Sequence, residues 1–132
     1  MRIKNVKTYF YQKRREVHCV LTFRLALHDE EYGTIMDDTL REMFPTDING
    51  DLKPIKIDSK AMCSQRDHFD FNKGKKIALR RANKFMFGLV NDIQKTYIDS
   101  VLKDLALTQQ DIAKYDKAYD CEKEAIKKLL SD

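Results

Sequence analysis

Three groups of residues have types and spacings that bear on chemistry. Asp47, Asn49, Asp51 and Asp58 stand at positions 1, 3, 5 and 12 of a possible calcium loop. Oxygen donors at that spacing can wrap a hard cation. Leu52 occupies position 6, where the sharp-turn glycine belongs, and position 12 is Asp rather than a bidentate Glu. Plain turn chemistry accounts for the same residues, so no metal is assigned. Cys63, His68 and Asp70 form a second, looser group. Zinc wants four ligands at defined spacings, and a nucleophilic thiol needs a base and a thiolate-stabilising setting. The parity of the strand before Cys63 points it inward, as a buried thiol. The chain contains no glycine-rich phosphate loop, GxSxG or HExxH. A non-enzymatic protein without a cofactor is therefore expected.

The third group is cationic. Lys73, Lys75, Lys76, Arg80, Arg81 and Lys84 crowd one segment, with Phe69, Phe71 and His68 just before it. Phosphate contact combined with base stacking needs such a mixture, and a helix N-terminus can hold an anion. The expected binding residues are these six cations and Phe69. The net charge of +4 is unevenly spread. Met1 to Arg15 carries six basic residues and no acid, Asp29 to Asp51 eight acids against Arg41, and Lys60 to Lys84 eight basic residues against Asp67 and Asp70. A surface polarised in this way steers anionic partners.

The elements that must position these groups follow from periodicity. Val6 to Gln12 and Val17 to Leu27, split by the polar KRRE, read as a hairpin. Val17, Cys19, Leu21, Phe23, Leu25 and Leu27 alternate on one face, and His18 falls on the other as a surface strand residue. Thr34 to Phe44 reads as a short helix capped by Thr34, with Ile35, Met36, Leu40 and Met43 inward and Pro45 as its stop. A turn at Asn49-Gly50 leads to a third strand, Lys53 to Cys63. Ser64 and Asp67 resemble a capped turn, and Asp70 suits the N-cap of the following helix.

From Phe71 to Leu107 apolar residues recur at mostly four-residue steps, and Gly88 marks a bend or a close contact. Thr108 and Asp111 resemble a capping box, which predicts a separate last helix to about Leu130. Its stripe is Ile112, Tyr115, Tyr119, Ile126 and Leu129. The fold class expected is α+β: an N-terminal antiparallel sheet of about three strands with a short helix, then two long C-terminal helices. One domain, 1–132, is expected, mainly strands over 1–63 and mainly helical over 64–132, as its length suits.

Gly74, Ala78 and Ala82 form a smooth stripe. Packing on the chain's own sheet or on a second copy both fit; the apolar surface beyond the sheet's reach favours a homodimer built on the helices from Phe71 onward. No apolar run of about 18 residues exists, and the N-terminal MRIKNVKTYFYQKRR lacks the apolar core of a signal peptide. The odd number of cysteines, Cys19, Cys63 and Cys121, shows no CxxC spacing and suits reduced thiols. Cytoplasm is the expected compartment.

The run C-x3-D-x-F-[DN]-x3-G-x3-A-x3-A, from Cys63 to Ala82 after the strand KPIKIDSKAM, resembles a segment of small phage and prophage accessory proteins. It covers residues 53–84. The resemblance implies a bacterial host's cytoplasm, and anti-defence inhibition such as anti-CRISPR activity. The implied partner is a host defence protein or an anionic nucleotide; nucleic acid is the alternative partner that the basic 73–84 segment itself suggests.

Overall fold

A computed structural model describes residues 1–64, 66 and 68–131. Strand β1 (Ile3–Lys13) and strand β2 (Glu16–Leu25) pair antiparallel through a two-residue turn in which Arg14 takes a left-handed φ of 57°. Helix α1 (Gly33–Met43), strand β3 (Ile55–Met62) and helix α2 (Phe71–Ser131) follow. The sheet order is β1-β2-β3, all antiparallel. The fold class is α+β with a three-stranded sheet, as expected. The chain forms two compact units, Met1–Tyr97 and Ile98–Asp132. Among the described residues no helix is long and apolar enough to cross a membrane.

The period-two pattern of β2 explains why it lies in the centre. Val17, Cys19, Leu21, Phe23 and Leu25 are all nearly inaccessible and join Met36, Leu40, Ala78, Ala82, Met86 and Ile93 in the core of the first unit. Burial pushes the Cys19 thiol pKa up. On the opposite face, the His18 ring stacks on Tyr11 with centroids 4.6 Å apart, and its Nε2 lies 2.9 Å from Glu16 Oε2. That hydrogen bond holds the Glu16 carboxyl below its ordinary pKa.

Helix α1 begins at Gly33 after Tyr32, so Thr34 lies inside it rather than capping it, and no side chain caps Tyr32's position. Asp37, unforeseen as a core residue, is buried instead of Met43: its carboxylate accepts the His28 N–H at 2.8 Å and meets His28 Nδ1 at 3.2 Å. A buried carboxylate needs such donors. Phe44 turns extended before Pro45, which stops the helix as read.

The two expected C-terminal helices are one. Thr108 does not open a new helix; its hydroxyl donates to Asp104 O, four residues back, at 2.9 Å. A threonine satisfied in this way sits inside a helix without interrupting it, and neither Gly nor Pro occurs between Ile98 and Ser131. Gly88 is exposed, and the helix runs through it with open space around its missing Cβ.

The Gly74/Ala78/Ala82 stripe faces the chain's own sheet, which overturns its reading as a dimer seam. Ala78 and Ala82 are fully buried, and a Cβ on Gly74 would lie 2.5 Å from Val17 Cγ2. Helix and sheet approach this closely because the stripe has no side chain larger than a methyl.

Candidate binding face and adjoining cavity

The site is built on the first five turns of α2. Asp70 caps the helix: its Oδ1 accepts the Lys73 N–H at 3.1 Å, and its carbonyl accepts the Gly74 N–H at 2.9 Å. The small-residue stripe then fixes the helix's rotation, with Ala78 and Ala82 against the sheet. That rotation decides where each cation goes. Lys73, Lys76, Arg80 and Lys84, spaced three, four and four residues apart, share the outward face and are all exposed. No acid occurs between Phe71 and Asn91. The field along this face is therefore of one sign.

The other expected binding residues go elsewhere. Lys75 folds inward over the Phe10 and Phe71 rings, 5.0 and 5.5 Å from their centroids. Arg81 reaches sideways to the sheet and donates to Lys60 O at 2.8 Å. Phe69 is half-buried beneath the Arg15 guanidinium, 5.9 Å from its ring centroid, and is not a stacking platform on the surface. Six neighbouring cations thus divide into an outward four and two that support the fold. Sequence reasoning missed Phe87, which is 58% exposed and lies three residues past Lys84 and seven past Arg80. Its spacing from those cations was the available signal, and Phe87 belongs neither to the apolar stripe read from the sequence nor to the expected binding residues.

A cavity of about 360 Å³ lies at the helix start, lined by Val17, Cys63, His68, Phe69, Asp70 and Ile77 among others. Cys63 stands beyond the end of β3 and is half-buried, not an inward strand residue as expected: pairing with β2 stops at Met62 opposite Glu16. Arg15 Nη2 lies 3.3 Å from Cys63 Sγ and donates to Ser64 O at 3.0 Å. The Arg15 carbonyl accepts the Cys63 N–H at 2.9 Å. These contacts tie the β1–β2 turn to the segment before α2. The expected Ser64–Asp67 turn involves Asp67, which lies outside the described residues; Ser64 Oγ accepts the Arg66 N–H at 3.3 Å.

The possible calcium loop is a turn whose carboxylate serves its own backbone. Asp47 Oδ1 accepts the Asn49 and Asp51 N–H groups at 2.9 and 3.1 Å, and Gly50 supplies the φ of +82° the turn needs. Asp58 sits in β3 opposite Val20. Among the described residues no three His, Cys, Asp or Glu side chains are grouped to hold a metal. No family model, curated protein or solved structure matches the chain.

Proposed function

We propose that this chain is a non-enzymatic binding protein of the phage-accessory kind, acting in the cytoplasm of a bacterial host. It inhibits a defence effector by laying the outward face of α2 on an acidic surface of that protein. The observation that carries this reading is the acid-free row Lys73, Lys76, Arg80 and Lys84 on a helix whose opposite side is locked to the sheet. Such a face raises association rates with acidic surfaces and suppresses binding to basic ones. A convex helix face suits a macromolecular surface better than a free nucleotide. The adjoining cavity is lined by Asp70 as well as Lys73, so it is not the purely cationic pocket that a phosphate would favour.

The test is a phage-challenge assay in bacteria carrying diverse defence systems. The wild-type chain rescues phage against at least one system, and Lys76→Glu/Arg80→Glu/Lys84→Glu abolishes rescue while its circular dichroism stays unchanged. Absence of rescue across the panel, or rescue by the triple variant, overturns the reading.

Phe87 favours one second reading. An exposed aromatic ring within a cationic row is what single-stranded nucleic acid uses for stacking and phosphate contact. Four neutralised phosphates give a slope of about −3 in log affinity against log salt on single strands. A gel shift with that slope, weakened by Phe87→Ala, selects nucleic acid over an acidic protein; salt-insensitive binding or no shift at low salt removes it.

A further inference from the structure

Every residue from Leu102 to Ser131 is exposed, yet the helix there has a mainly apolar seam, interrupted by Thr108 and Glu122. Because α2 is not broken at Thr108, the seam keeps one register. Ile98, Leu105, Ile112, Tyr119 and Ile126 recur every seven residues. Val101, Thr108, Tyr115, Glu122 and Leu129 fall three residues after each of them. A strict seven-residue repeat over five heptads is the pattern of a left-handed coiled coil. It specifies a helical partner, because only another helix presents holes at that spacing. Helices in water draw most of their stability from a packed apolar face, and from Leu102 to Ser131 none of this face is buried among the described residues.

We infer that the seam from Ile98 to Leu129 pairs with the same seam of a second copy, and that the two helices run antiparallel. Charge complementarity selects both the partner and the direction. The segment holds seven acids and six lysines, so two copies do not repel. In a parallel pair, Glu122 would face Glu122 of the other copy inside the seam, and Asp111 would flank Asp116 on both sides. An antiparallel pair with its two-fold axis between Ala113 and Lys114 removes both clashes. Glu122 then lies across from Leu105, and Thr108 across from Tyr119, where their hydroxyls can meet. Flanking the seam, Asp116 meets Gln109, Lys123 meets Leu102, and Asp104 and Asp111 meet Ala125 and Ala118. No like charges face each other, and all five heptads overlap. This assembly does not depend on the small-residue stripe, which the sheet covers, nor on the function proposed for the cationic face.

The test uses the full chain. Light scattering at tens of micromolar is expected to give twice the 15.6 kDa chain mass. Ile112→Asp is expected to return the monomer mass, and Lys117→Ala, outside the seam, to leave the dimer intact. A wild-type monomer, or a dimer that survives Ile112→Asp, overturns the pairing. Direction is read from a spin label on Lys128→Cys in a Cys63→Ser/Cys121→Ser background. At 1.5 Å of rise per residue, antiparallel copies place the labels about 40 Å apart, whereas parallel copies place them within about 20 Å. The short distance overturns the antiparallel assignment.

Discussion

Replacing Gly74 with alanine tests how α2 is seated. Alanine is the better helix former by about 1 kcal/mol in a helix interior, so an unconstrained site gains stability from this change. The site is constrained. A Cβ at Gly74 would lie 2.5 Å from Val17 Cγ2 and 3.1 Å from Val17 Cβ. Val17 is fully buried, and its β-branched side chain has little rotameric freedom to yield. Overpacking of this kind costs about 1–3 kcal/mol. The propensity gain offsets part of it, so Gly74→Ala is expected to destabilise by up to about 2 kcal/mol. Val17→Ala alone removes buried methyls and leaves a gap, at a cost of about 2 kcal/mol. In the double variant the new methyl occupies part of that gap. The two effects are then not additive, and a double-mutant cycle by urea denaturation should give a favourable coupling of about 1 kcal/mol or more. A Gly74→Ala chain stabilised by about 1 kcal/mol, with no coupling to Val17, would refute the close helix–sheet approach that orients the cationic face.

Other substitutions probe the same frame. Ala78→Leu is expected to destabilise the first unit by about 1–3 kcal/mol through overpacking while leaving the oligomeric mass unchanged, checked by denaturation and light scattering together. Asp70→Ala removes the acceptor for the Lys73 N–H and should cost about 1 kcal/mol in urea denaturation, with Asp70→Asn retaining most of the stability. Acid sensitivity follows from Glu16. The hydrogen bond from His18 lowers its folded pKa beneath the ordinary value of 4.5, so its contribution is present above that value and is lost as pH falls through the lower, folded one. Glu16→Gln should therefore flatten the fall in stability below about pH 4.5, and an unchanged acid limb in a pH series of denaturation curves would count against that hydrogen bond.

Much of the frame is legible in residue order because it depends on local rules. The alternation from Val17 to Leu25 requires one apolar face wherever the strand lies, and the structure buries that face. Asp70 and Pro45 mark a helix start and a helix stop by short-range hydrogen bonding and sterics, and both act as read. The Gly74/Ala78/Ala82 spacing demands a close neighbour. It does not say which neighbour: a sheet of the same chain and a helix of another copy make the same demand, and only the packing against Val17 decided between them. Thr108 shows the same limit, since a threonine hydroxyl can cap a helix or bond back to the carbonyl four residues before it. The cations show it most clearly. Lys75, Arg81 and Lys76 are equivalent in composition, but the rotation of α2 on the sheet sends one over Phe10, one to the Lys60 carbonyl and one outward. Phe87 reached the outward face by that same rotation. Burial is a relation between distant segments, so residue type alone cannot assign it. The helix seated by its small-residue stripe turned a cluster of charges into a directed face.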